Sequence, residues 1–379
     1  MTLELDMERE ADLQRCGALK DYWYVACLST ELPRERPIGR TLFGLKVALY
    51  RNAEGQAVAV RDRCLHRGAA LSEGVVWEGK LCCPYHGWTY DDAGRCVLVP
   101  SLGPRQQAPH RFEADPAQPP LHTSPATVGC LETYPTREQD GLVYVFVGGK
   151  GRTPRKEPFP IPYWGAEGWT VYFMVTRFPN GVTNLVENFM DVPHTVFVHK
   201  GWFRDKVQKR VPATVERTDG SVQVTYEQKD DRLTGAGFLL NPFGEDMVHT
   251  DKFYVPNTTR VDYAWGKSGF VITSQCTPIG PMESLVYTAI SYRLPVDLPG
   301  APVGKLIRRA LHWYTTQVIT QDVEIMETQR RGLEGGHLQF HSTEADLLHA
   351  DIEAYRAWLL AGQEGDGPSP ARRAIEFWL

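Results

Sequence analysis

Two short stretches of the 379-residue chain each pair a cysteine with a histidine, Cys64-Leu65-His66 and Cys83-Pro84-Tyr85-His86. Sixteen residues separate His66 from Cys83, so two neighbouring turns offer two thiols and two imidazoles to one place. Thiolate and imidazole together suit tetrahedral zinc or an iron–sulfur centre, and ligand type alone leaves both open. Cys82 is a second candidate thiolate beside Cys83, and the C-x-x-H register favours Cys83. Cys16, Cys27, Cys96, Cys130 and Cys276 read most simply as buried or unpaired thiols.

A second constellation lies in NLVENFMDVPHTVFVH, where Asp191, His194 and His199 fall within nine residues. On an ideal helix His194 and His199 would stand about 140° apart. For both to bind one metal the segment must be irregular, and Pro193 supplies a cause by removing a backbone donor. Two histidines need a third ligand. The pattern Ile307, Leu311, Tyr314, Val318, Ile325 marks the apolar stripe of a long helix. Asp322 falls on that stripe, whereas Glu324 is turned about 200° away toward solvent. A carboxylate aimed into a core must be neutralised, hydrogen-bonded or metal-bound. Two His and one carboxylate with open positions are the ligand set of non-haem Fe(II) oxygen chemistry. The plainer alternatives are core histidines and a buried aspartate capping a backbone group.

The elements that must hold these residues differ between the two halves. From Tyr22 to Val147, short β-type runs alternate with turns such as NAEG and DDAG, which reads as a small antiparallel domain of hairpins. The Gly-, Pro- and charge-rich stretch around 149–165 reads as a linker. The expected division is an N-terminal segment over 1–20 packing on the second domain, a β domain over 21–148, the linker, and an α+β domain over 166–379. In the last of these we expect a strand over Trp169–Phe178 and a helix-like segment around 183–199. Strands follow near 221–227, 259–265, 270–276 and 284–294, then a helix over Lys305–Arg331 and another starting after Ser342 or Thr343.

Composition narrows the function classes. Hydrophobic residues make up 42% and charged residues 23% of the chain, which argues against wholesale disorder or a rod. A net charge of −5 leaves no electrostatic footprint for nucleic acid or an anionic membrane surface. Apolar runs such as Val143–Val147 are far shorter than the ~20 residues of a membrane span, and MTLELDMERE lacks the features of an export signal. A cytoplasmic protein is expected. Eight cysteines are too sparse for a disulfide framework.

C-L-H-R-G followed by C-P-Y-H-G-W closely resembles the paired loops of Rieske proteins. With E-N-F-M-D-x-x-H-x4-H over 187–199 and Q-D-V-E-I-M-E-T-Q over 321–329, nearly the whole chain resembles the catalytic α subunit of Rieske non-haem iron oxygenases, the ring-hydroxylating dioxygenase and O-demethylase superfamily. The resemblance implies a small antiparallel β Rieske domain and a helix-grip (START-like) catalytic domain with an antiparallel sheet and C-terminal helices. It implies Cys64, His66, Cys83 and His86 as ligands of a [2Fe–2S] cluster, and His194, His199 and Asp322 as ligands of a mononuclear Fe(II). Asp191 matches the acid that links a cluster histidine of one subunit to an iron histidine of its neighbour. A homotrimer or α3β3 assembly, O2 as co-substrate, a small organic substrate and electrons from NAD(P)H are implied with it. Neither G-x-G-x-x-G after a strand nor C-x4-C-x2-C occurs, so the reductase is expected to be a separate protein. The length is closer to the shorter monooxygenase and demethylase members than to ring-dihydroxylating α subunits. Rivals from other classes are a Rieske electron carrier with an appended domain and a ligand-binding helix-grip protein with a structural zinc module. Metal content separates all three.

Overall fold

The computed structural model describes residues 17–102, 128–149, 151–199, 210–218, 220–227, 240–241, 244–295, 301–334, 341, 343, 346–361 and 367–378. The chain is α+β, with antiparallel sheets throughout. It forms two compact units, one spanning Lys20–Pro158 and one made mainly of Phe159–Leu379. The division falls inside the 149–165 stretch, whose described residues carry neither helix nor strand. Residues 1–16, including Cys16 and most of the expected N-terminal segment, lie outside the described residues.

The first unit holds three small sheets. One joins β2 (Ile38–Leu42), β3 (Leu45–Arg51), β4 (Ala57–Arg61) and β9 (Thr133–Tyr134), and a second joins β5 (Val75–Trp77), β6 (Lys80–Cys82), β7 (Thr89–Tyr90) and β8 (Cys96–Leu98). The third places β11 (Leu142–Phe146) between β1 (Trp23–Leu28) and β10 (Thr136–Gln139). Tyr50, Leu71, Leu81 and Tyr90 are fully buried in a core that also takes in Cys64 and Cys83.

The second unit is built on one eight-stranded sheet. Its strands are β12 (Thr170–Phe178), β13 (Arg210–Thr218), β14 (Ser221–Tyr226), β15 (Met247–Tyr254), β16 (Thr258–Trp265), β17 (Ser268–Gly280), β18 (Glu283–Arg293) and β19 (Ala371–Trp378). They lie in the order β12-β18-β17-β16-β15-β14-β13-β19. Among the described residues four helices accompany the sheet: α1 (Val182–Met190), α2 (Thr195–Val198), α3 (Ala301–Leu333) and α4 (Leu347–Leu360). Leu311 and Tyr314 of α3 pack with Tyr172, Tyr263, Phe270 and Ile290 of the sheet, which is the helix-grip arrangement. Side-chain amides lace α1 to α3. Asn180, just ahead of α1, donates to the Met326 carbonyl at 3.0 Å and to Gln329 Oε1 at 2.9 Å, and Asn188 donates to Asp322 Oδ1 at 3.1 Å.

Three expectations need correction. The sequence reading assigns no strand to β13, β15 or β19: Pro212 interrupts the first, and polar His249 and Asp251 occupy buried-face positions of the second. Ile325 is 37% exposed, and Met326, 5% exposed, takes its place on the buried stripe. α4 starts at Leu347, because the Thr343 N–H and hydroxyl both donate to Asp346 Oδ2, at 2.7 and 2.9 Å, and leave Asp346 at the cap position. Ser342, the other expected cap, lies outside the described residues. The 183–199 helix is broken: α1 ends at Met190 and α2 begins at Thr195. Pro193 disfavours helix for itself and for Val192, which is the irregularity the histidine spacing demands.

Candidate metal centres

In the first unit the two Cys–His turns share one shape. Cys64 N–H donates to the Ala69 carbonyl at 2.8 Å and Gly68 N–H to the Cys64 carbonyl at 2.9 Å. Cys83 N–H donates to the Trp88 carbonyl at 2.8 Å and Gly87 N–H to the Cys83 carbonyl at 3.1 Å. Gly68 and Gly87 adopt φ of +74° and +69°, which closes each turn in a conformation that other residues rarely take. The equivalent turns bring the imidazoles of His66 and His86 to a centroid separation of 4.5 Å, and His66 stacks on Trp88 at 4.5 Å.

Cys64 and Cys83 are buried side by side, and burial together with the neighbouring Cys64 thiol raises the Cys83 pKa. Cys82 ends β6 and faces away, its Sγ 3.2 Å from Thr89 Oγ1. Leu65 N–H donates to Tyr90 Oη at 3.2 Å, which leaves the phenol hydrogen free for Cys64 Sγ at 3.1 Å. Burial, with His86 and Arg67 nearby, lowers the His66 pKa, which favours the neutral form that binds metal. His66 Nδ1 is buried and has no hydrogen-bond partner among the described residues, an unfavourable state for a polar atom that a metal would relieve. Two thiols that become thiolates on coordination and an orphaned imidazole nitrogen fit an iron–sulfur centre.

In the second unit His194 and His199 flank α2, and Asp322 enters from α3. Among the described residues these three form the group whose candidate ligand atoms all lie within 4.8 Å of one another. A single zinc ion would demand the same of the loop cysteines and histidines, which do not form such a group. His194 Nε2 lies 3.3 Å from His199 Nε2 and 3.5 Å from Asp322 Oδ1, and His199 Nε2 lies 3.2 Å from Asp322 Oδ1. Donors about 2.1 Å from one ion stand roughly 3.0 Å apart at right angles and about 3.4 Å apart at the tetrahedral angle, so the triangle fits one metal.

The outer atoms are set as well. His199 Nδ1 meets Gln321 Oε1 at 2.9 Å, and His194 Nδ1 meets the Asp191 carbonyl, so each imidazole turns Nε2 inward. Burial opposes charge on Asp322, but hydrogen bonds to His194 and His199 hold its pKa down at about 2. Burial likewise opposes protonation of His194, and Asp322 overrides it and raises the pKa. Asp191 differs from expectation in detail. Its main-chain oxygen takes the His194 contact, and its carboxylate stands 3.8 Å away, with a pKa raised by burial.

The triad opens on a cavity of about 120 Å³ walled by Phe178, Val261, Phe270, Ile272, Ile290 and Val318. Sequence reasoning missed Asn188, Gln321 and Tyr90, which orient ligands without binding metal, and it missed Asp251 in the cavity wall. Glu324 is exposed, as its helical position requires. No helix among the described residues is long and apolar enough to cross a membrane.

Paired Cys–His turns on a β unit, joined in one chain to a 2-His-1-carboxylate site under a helix-gripped sheet, define a protein with two distinct iron-binding designs. The chain belongs to the Rieske non-haem iron oxygenases. Residues 22–133 match the Rieske [2Fe-2S] domain, and residues 182–358 match the vanillate O-demethylase oxygenase C-terminal domain. The dicamba O-demethylase oxygenase component of Stenotrophomonas maltophilia is 32% identical over 65% of this chain and 63% of its own length. The chain thus spans less than two thirds of that relative. The vanillate O-demethylase oxygenase subunit of Pseudomonas sp. is 24% identical over 90% of this chain and 98% of its own. Among solved structures, Pseudomonas putida CBB5 NdmA with caffeine shares the fold at a TM-score of 0.71 and 20% identity, covering 92% of this chain and 93% of that one.

Proposed function

We propose that the protein is the terminal oxygenase component of a multicomponent system, oxidising a small cyclic or aromatic molecule with O2 and electrons from a separate NAD(P)H-dependent reductase. The observation that carries this reading is the His194–His199–Asp322 triangle opening on an apolar cavity. Cys64, His66, Cys83 and His86 would hold the [2Fe–2S] cluster, and His194, His199 and Asp322 an Fe(II) ion. Bound there, the ion supplies open positions for O2 and the cluster supplies single electrons. The protein's own part is to aim Nε2 of both imidazoles through Asp191 and Gln321, to hold Asp322 through Asn188, and to keep water from the apolar wall. Relatives named as O-demethylases favour monooxygenation; removal of a methyl group from oxygen would consume O2 and NAD(P)H and yield a hydroxyl compound, formaldehyde, water and NAD(P)+.

Asp191 would act between centres, its main-chain oxygen holding His194 while its carboxylate, 3.8 Å from that ring, meets the His86 imidazole of a neighbouring copy in a homotrimer. A cytoplasmic setting suits this chemistry. Reconstitution with a surrogate reductase, NAD(P)H and a panel of single-ring methoxyarenes, with products identified by mass, tests the reading. Three irons per chain and a hydroxylated or demethylated product are expected. Two irons and no product would indicate an electron carrier, and colourless zinc-loaded protein would end the reading. Asp191→Ala should keep cluster and iron but lose turnover, and mixing His86→Ala with His199→Ala subunits should restore part of it.

A further inference from the structure

Asp251 is a buried carboxylate that the metal triad does not use. It is 1% exposed, yet it lines the same cavity as His194, His199 and Asp322. Tyr226 donates its hydroxyl to Oδ2 at 2.8 Å, and His249 Nε2 donates to Oδ1 at 2.8 Å. The His249 ring is held between Tyr226 and Tyr263, its cross-strand neighbours on β14 and β16, with both centroid distances 4.4 Å and planes within 20° of parallel. A carboxylate offers about four acceptor positions. Among the described residues two are taken, by Tyr226 and His249, so each oxygen of this cavity-lining residue keeps one.

Apart from the triad and Asp191, a second carboxylate, the remaining wall is apolar with hydroxyl and amide groups, and among its described residues there is no lysine or arginine. We infer that the cavity selects single-ring molecules presenting a hydrogen-bond donor, a hydroxyl or a protonated amine, to Asp251, and rejects carboxylates; this rests on the oxygenase reading above. The volume agrees with one ring: about 120 Å³, close to the roughly 150 Å³ of a protein cavity that takes up benzene. A carboxylate ligand would meet Asp251 as a like charge with no lysine or arginine among the described wall residues to offset it, in surroundings that screen poorly.

The test is anaerobic calorimetric binding of four matched ligands to the holoenzyme: anisole, 4-methoxyphenol, 4-methoxybenzylammonium and 4-methoxybenzoate. For the unaltered protein, the phenol and the ammonium should each bind about 10-fold or more tighter than anisole, as a hydrogen bond to a charged acceptor supplies. The benzoate should bind weakest. Phenol leading marks neutral donors and ammonium leading marks cations, and either supports the inference. Asp251→Asn should abolish the ammonium advantage while changing anisole by less than about twofold. Tyr226→Phe returns one acceptor position to Asp251, so donor ligands should bind as tightly or more tightly, whereas a purely structural tyrosine would weaken all four. If Asp251→Asn fails to fold, the unaltered protein and Tyr226→Phe decide. Benzoate binding tightest, or one ranking shared by the unaltered protein and Asp251→Asn, overturns the inference. Binding needs no turnover, so a failed oxygenase reading would show separately, in iron content and absent product.

Discussion

In the Lys20–Pro158 unit the four candidate ligands come from two turns of equal shape, set by main-chain hydrogen bonds. In the Phe159–Leu379 unit the three ligands come from a broken helix and a second helix, with His199 and the Gln321 that orients it 122 positions apart. The first design depends on local backbone geometry and leaves His86 exposed at the surface. The second depends on how α1, α2 and α3 pack, and His199 is 3% exposed. Damage to the first should therefore stay local, whereas the second should answer to side chains on several elements. The difference also suits the proposed division of labour. An electron-accepting site gains from a ligand at the surface, while an oxygen-activating site gains from exclusion of water.

Three substitutions break or sharpen this contrast. Cys83→Ser should have the largest effect, with loss of the visible cluster spectrum, two irons per chain and all turnover. Cys82→Ser should keep the spectrum, because its Sγ faces Thr89; loss of the cluster from Cys82→Ser alone would reassign the register. Asp322→Ala comes next. It should remove the third iron and lower turnover by at least about 100-fold while the cluster spectrum survives, since the two sites are built independently. Glu324→Ala, two residues away and exposed, is the control, and equal loss of iron from it would refute the helix-face assignment. Tyr90→Phe should be mildest. Removing the hydroxyl that faces Cys64 Sγ takes away a donor that favours the more negative reduced cluster, so the cluster should form but its reduction potential should fall in voltammetry.

How much of this was legible follows from the same contrast. The loop residues can be read because ligand, turn glycine and hydrogen-bonding partner fall within six residues, Cys64 to Ala69 and again Cys83 to Trp88. The break between α1 and α2 is legible through Pro193, and the burial of Asp322 through its distance from Leu311 and Val318 along α3. Helical periodicity failed one turn later, at Ile325, because the buried row drifts and Met326 occupies it. β15 was illegible for a physical reason: its inward row reads Met247, His249, Asp251, Phe253, so the polar residues that line or brace the cavity erase the apolar alternation that marks a strand. Asn188 and Gln321 left no local signal, since their partners are set by helix packing. The Asp191 spacing placed it correctly beside His194, but spacing cannot distinguish a carboxylate contact from the main-chain contact the fold adopts.

The amide lacing of α1 to α3 has a consequence for tolerance to solution conditions. Asn180, Asn188 and Gln329 carry no charge, and the seam they form titrates only at Asp322, whose carboxyl stays ionised down to about pH 2. Ionic strength has little purchase on buried hydrogen bonds donated by uncharged amides. Mild acid should thus strip the site, if at all, at its metal ligands and not by parting the helices, and high salt should leave the seam closed. A preparation bleached of its metal in this way would keep the scaffold that received it, ready to be refilled.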